Sequence, residues 1–230
     1  TPPSSSAPSL SMRAWACADA PLVKKSTMMF MRRTWHQGMN SATAALLDVI
    51  SGTVYALGDN AYGVGAPAEF SNCYDPTWGR HKARTKPAPG NHDYYTPGAA
   101  GYYGYFGAAA SPLDTNCVSD CRGYYSYDLG GWHIVALNSE TARSASSAQI
   151  AWLKADLAAN SGACTLAYWH KPLYSSGIHG DDASQKPFWD VLYRYGADIV
   201  LNGHDHHYER FAPQNPSGAF DPSRGIREFV

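Results

Sequence analysis

Four short polar clusters in this 230-residue chain carry side chains able to hold metal ions and move protons. They are Gly58-Asp59-Asn60-Ala61-Tyr62, Gly90-Asn91-His92-Asp93, His170 after Ala167-Tyr168-Trp169, and Gly203-His204-Asp205-His206-His207. Carboxylate, imidazole and amide-oxygen donors, with no thiolate among them, suit hard or borderline cations such as iron, manganese or zinc. Asp59 has two carboxylate oxygens and can bridge a pair of ions. His204 and His206, two residues apart, can reach different members of that pair. Two ions roughly 3.5–4 Å apart can clamp a phosphoryl group and generate a hydroxide nucleophile. A single histidine is more often structural than a ligand, so the argument rests on the set.

The elements needed to bring these residues together are legible. Thr53–Leu57, His133–Leu137, Thr165–Trp169 and Ala197–Leu201 are apolar runs of strand length, and Lys86–Pro89 is extended. Ser41–Ile50 and Ala183–Tyr195 read as helices. Ser146 with Gln149 reads as a capping box opening a helix whose Ile150, Leu153 and Leu157 share one face. Gly98–Gly107 and Ser111–Gly123 read as loops, and Arg227–Val230 as a strand. Strands alternating with helices predict an α/β architecture. Each polar cluster follows a strand or extended run, and in α/β sheets such strand ends converge on a common crevice.

These clusters, in this order, resemble the signature blocks of the calcineurin-like metallophosphoesterases. The Gly-Asp-x-x-Tyr form at Gly58–Tyr62 and the Tyr208-Glu209-Arg210 tail resemble the purple acid phosphatase-like branch. The resemblance implies a four-layer α/β/β/α sandwich, here incomplete at both ends, with residues 41–230 as the catalytic domain. It also implies a dinuclear centre of iron with zinc, manganese or a second iron. Asp59 would bridge the ions, Tyr62 and His206 would hold the first, and Asn91, His170 and His204 the second. His92 would meet the substrate phosphate or its leaving group, and His179 either resembles a second substrate-facing histidine or is a solvated loop residue. The implied reaction is hydrolysis of a small phosphorylated substrate by hydroxide generated on the metals. A phosphodiesterase or nucleotide hydrolase shares these ligands. So does an inactive, fragmentary relative acting as a binding module.

That last alternative arises from residues 1–40. The family's opening block supplies one more aspartate, and upstream of Asp59 only Asp19 and Asp48 are acidic. Asp48 falls on the expected helix, and Asp19, beside Pro21, is a poor match. All five methionines lie in this opening segment, which reads as divergent from the rest.

Other residues receive plainer readings. Asp205 reads as an acceptor beside the ligands, His207 as supporting those ligands or structural, and Asp93 as orienting His92 or capping a helix. Glu140 reads as a turn residue, and His36, His81 and His133 receive no chemistry. The Tyr94–Phe106 run lines a cleft or packs as a loop. Cys117 and Cys121 either bridge each other or remain free thiols. The formal charge of −1 argues against a nucleic-acid surface, and no apolar run is long enough to span a bilayer. The Pro- and Ser-rich start resembles a linker exposed after leader removal, which predicts a secreted or extracytoplasmic protein.

Overall fold

The computed structural model describes residues 27–28 and 37–230. One sheet holds β1 (Thr27–Met28), β2 (Val54–Leu57) and β3 (Thr85–Ala88), all parallel. The other runs in chain order through β4 (Tyr125–Leu129), β5 (Trp132–Ala136), β6 (Cys164–Tyr168), β7 (Ile199–Leu201) and β8 (Arg227–Phe229). Only the β4–β5 hairpin is antiparallel; the remaining pairs are parallel. Among the described residues the α-helices of four residues or more are α1 (Gln37–Val49), α2 (Asn91–Tyr94), α3 (Ala100–Phe106), α4 (Ala148–Ala159) and α5 (Lys186–Arg194).

Strand side chains alternate between two faces, and both faces here are apolar. Tyr55 and Leu57 of β2 pack with Ile134, Ala136, Leu166, Tyr168 and Leu201 in a core between the sheets. The alternate residues Val135, Ala167 and Val200 face outward onto Leu153 and Leu157 of α4 and Phe188 and Leu192 of α5. On the far side Val54 meets Ala44 and Leu47 of α1, with Tyr102, Tyr103 and Phe106 of α3 in the same core. The result is the expected four-layer α/β/β/α sandwich.

The expected strands and helices lie within a few residues of the observed ones, and the differences have identifiable causes. Gly98–Gly107 is largely helical rather than a loop, because Tyr102, Tyr103 and Phe106 share one buried face. Its Gly101 lies against the Gly65 carbonyl, where a Cβ would approach to 2.0 Å. Ser147, not Ser146, caps α4: its Oγ accepts the Ile150 N–H at 3.3 Å. Gln149 turns away to bind the Asn138 backbone, accepting its N–H at 2.8 Å and donating to its C=O at 3.0 Å. Strand β4 carried a readable signal in Gly130-Gly131, whose positive φ values of 60° and 86° suit a two-residue hairpin turn.

Of the histidines set aside in the sequence, His133 and His81 are structural. His133 is buried, with Nδ1 3.0 Å from Asp128 and Nε2 2.7 Å from Asp156. Burial opposes its charged form, but the bonds to Asp156 and Asp128 win and raise its pKa. His81 contacts Asp48 and the Ala44 carbonyl. His36 and Asp19 lie outside the described residues. Cys117 and Cys121 are disulfide-bonded, and Cys73 is a half-buried free thiol.

Candidate metal centre

The chain leaves β2 through a tight turn in which Gly58 and Asp59 both take positive φ, 89° and 52°. Glycine is required at the first of these positions. A Cβ on Gly58 would lie 2.4 Å from His170 Nδ1, inside any permissible contact. Gly90 is similarly constrained, because its Cβ would come within 2.3 Å of Asp59 Oδ1. His204 repeats the left-handed backbone after β7, with φ of 71°. Left-handed conformations at non-glycine residues concentrate at functional sites.

These turns deliver donors from both sheets to one point. His170, 1% exposed at the end of β6, donates from Nδ1 to the Leu57 carbonyl at 2.7 Å. Its Nε2 therefore faces inward, 3.1 Å from Asn91 Oδ1, 3.2 Å from Asp59 Oδ2 and 3.1 Å from His204 Nδ1. On the other side of Asp59, the Tyr62 hydroxyl lies 3.1 Å from Oδ2 and 3.3 Å from His206 Nε2. A cavity of about 20 Å³ lies among Asp59, Tyr62, His170, His204 and His206.

Protonation fits a cation better than a proton. Burial alone would raise the Asp59 pKa, but His170 and the His92 N–H hold it well below the usual carboxylate range. Burial lowers the His170 pKa, yet Asp59 outweighs it and raises the balance. His204 is pushed down to about 3 by burial, then by His170 and His179, so its imidazole is neutral. One proton at His170 Nε2 thus faces three acceptors and can satisfy them only in part. A metal ion can accept lone pairs from all of them at once.

The two histidines assigned to substrate stand at the rim. His92 donates from Nδ1 to the Gly63 carbonyl at 2.6 Å, and its ring lies between Tyr62 and Tyr95, with centroids 4.5 and 4.7 Å away. Its Nε2 is 4.0 Å from Asp59 Oδ2. The His179 ring packs on His204 at 4.3 Å. All of the residues singled out for metal or substrate therefore lie in one cluster.

The calcineurin-like phosphoesterase family matches residues 12–208. This chain belongs to that family. Among curated relatives, purple acid phosphatase 15 of Arabidopsis thaliana is 44% identical over 93 residues, 38% of this chain and 18% of that protein. Purple acid phosphatase 23 of the same plant is 34% identical over 160 residues, 62% of this chain and 34% of that protein. The chain thus spans about a third or less of the length of these relatives. Among solved structures, a yellow lupin purple acid phosphatase aligns with TM-score 0.60 at 19% identity, covering 84% of this chain and 39% of that one. GAP50, described as the anchor in the inner membrane complex of Plasmodium, aligns with TM-score 0.56 at 16% identity, covering 89% of this chain and 69% of that one. Both likenesses are of fold.

In this member of the family the cluster opens into a cleft of about 640 Å³. Its walls include Tyr94, Tyr95 and Ile178, together with Glu140 and Lys171, which pair at 2.8 Å. Glu140 thus borders the cleft as well as turning the chain, and the sequence signal for Lys171 is its position directly after His170. Asp93 accepts the Gly90 N–H at 2.9 Å and the Asn60 amide at 3.1 Å, and so caps α2 and ties two blocks together. Burial and the Asp59 charge push its pKa up to about 7, against those donors. The Tyr94–Phe106 run divides: Tyr94 and Tyr95 line the cleft, and Tyr102, Tyr103 and Phe106 enter the core. His207 points to Glu209 at 3.1 Å, a structural contact.

Proposed function

We propose that residues 41–230 form the catalytic domain of a metal-dependent phosphoric ester hydrolase, acid phosphatase-like, acting on small phosphorylated molecules. One observation carries this reading: the donor atoms of Asp59, Asn91, His170 and His204 converge from both sheets on one point. Asn91, His170 and His204 would hold one ion, Tyr62 and His206 another, with Asp59 shared between them. A phenol oxygen at Tyr62 favours trivalent iron there, and zinc, manganese or a second iron suits the imidazole-rich side. A further ligand expected from the opening segment lies outside the described residues.

When bound, such a pair of ions supplies positive charge against the phosphate and acidifies water at neutral pH. The chain's own residues do the rest. His92, fixed through Nδ1 to Gly63 and flanked by two tyrosines, turns Nε2 toward the cleft. A protonated Nε2 can donate to a phosphate oxygen or to the departing alkoxide. His179, whose ring packs on His204, would donate to an equatorial oxygen. The cleft walls exclude part of the solvent around these donors.

The disulfide between Cys117 and Cys121 supports a secreted or extracytoplasmic location, since such bonds persist in oxidising compartments. Among the described residues no helix is long and apolar enough to cross a membrane. The reading is tested by metal analysis and a visible spectrum after supplying iron, zinc and manganese, with hydrolysis of a simple phosphomonoester measured on the same sample. Two ions per chain, a violet tyrosinate-to-iron band and turnover are expected. A protein that retains no metal and hydrolyses nothing overturns it, and leaves a domain with the fold alone.

A further inference from the structure

The loop at residues 175–180 carries His179 over the centre, and it belongs to no helix or strand. Its polar groups need partners, and carboxylates in the segment after β7 supply several of them. Asp205 accepts the His179 N–H at 3.0 Å through one oxygen and the Ser175 hydroxyl through the other. Ser175 Oγ in turn accepts the Gly177 N–H at 3.0 Å. Glu209 accepts the Ser176 N–H at 2.9 Å and its hydroxyl at 2.7 Å. Gly177 lies directly against the first carboxyl, where a Cβ would come within 2.5 Å of Asp205 Cγ. Asp205 itself is 2% exposed and sits between His204 and His206 in sequence. One short segment therefore carries both ligand histidines and the clamp on the loop above them.

The geometry points to Asp205 as a positioning residue that sets the height and direction of His179 over the metal ligands, and so the grip on the substrate phosphate. This rests on the phosphatase reading, in which His179 meets phosphate. Asp205 acts through His179 and is not itself required to hold the ions. Charge-assisted hydrogen bonds of this kind are strong enough that losing them frees the loop.

The test uses the metal-loaded full chain and inorganic phosphate as the probe, with affinity measured by calorimetry and metal content by elemental analysis. Asp205→Ala is expected to keep wild-type metal content and to weaken phosphate binding about tenfold, as does His179→Ala. The double variant should be no weaker than either single one, because both changes remove the same contact. Asp205→Asn, which keeps an oxygen acceptor for the His179 N–H, should recover part of the loss. If Asp205→Ala does not fold, Ser175→Ala removes one of the two clamp bonds and should weaken phosphate binding by a smaller factor. Loss of metal in Asp205→Asn, wild-type phosphate affinity in Asp205→Ala or Ser175→Ala, or additive losses in the double variant overturns the inference. Wild-type protein that takes up metal but binds no phosphate overturns the functional reading and the inference with it.

Discussion

Gly58→Ala tests how rigidly the centre is held. The added methyl would lie 2.4 Å from His170 Nδ1 and 2.6 Å from its Cγ, about 1 Å short of ordinary contact. The histidine has no room to yield, because it is buried and its Nδ1 is bonded to Leu57, the residue next to the substitution. Alanine at φ of 89° costs on the order of 1 kcal/mol in backbone strain. The overlap adds about 1–3 kcal/mol, typical of overpacked cores, so a total of about 2–4 kcal/mol is expected. A ligand displaced by about 1 Å at a preorganised centre is expected to cost a factor on the order of 100 in function. Thermal melts of the metal-free protein report the first quantity, and calorimetric titration with zinc reports the loss of affinity. Gly104→Ala is the control: its methyl meets nothing within 4 Å, and it lies inside α3. That change should leave metal binding intact and raise stability by up to about 1 kcal/mol. If Gly58→Ala melts and binds zinc like the wild type, His170 is not fixed as the contacts imply, and the argument for a preorganised centre fails.

Three further outcomes follow from side-chain contacts. His92→Ala should lower turnover by a factor on the order of 100, the usual scale for a proton donor, and leave metal content unchanged; metal loss would assign His92 to the ligands instead. Glu69 gathers the N–H groups of Gly63, Val64 and Ala66 at 2.5, 3.0 and 2.9 Å, which holds the loop whose Gly63 carbonyl orients His92. Glu69→Gln should therefore reduce kcat more than it reduces metal affinity, and an unchanged kcat would show that the loop needs no such anchor. His133 has a folded pKa raised above its ordinary 6.5, so its stabilising contribution is complete below that value and fades as pH rises through the folded pKa. His133→Gln should flatten the fall in melting temperature above pH 6.5, and an unaltered slope would refute the assignment.

The sequence revealed most about residues fixed by local rules. Strands β2, β5, β6 and β7 are short apolar runs, and the glycines before Asp59, Asn91 and His204 mark the turns that lead out of β2, β3 and β7. What it hid depends on distant partners. Gln149 satisfies a capping pattern, yet it is drawn off by the Asn138 backbone, eleven residues away in sequence. Tyr102, Tyr103 and Phe106 follow helical spacing, but the glycines among them mimic a loop until their packing is known. Lys171 and Glu140 look ordinary because the cleft they border forms only when segments 31 residues apart meet. Asp205 was legible as an acceptor, but not what it accepts from, since its donors are Ser175 and His179 on another loop.

The bond from His170 Nδ1 to the Leu57 carbonyl joins positions 113 residues apart, and the contact between Tyr62 and His206 joins positions 144 apart. Donors that follow β2 and β3 come from one sheet and those that follow β6 and β7 from the other, so their convergence has no meaning in an isolated half of the chain. During synthesis nothing upstream of His206 can assemble it, and in refolding it waits for the slow, non-local docking of the two sheets. Uptake of a cation by this cluster would then report the last stage of assembly. A stopped-flow signal from metal uptake should lag the return of helical circular dichroism and coincide with burial of the tryptophans.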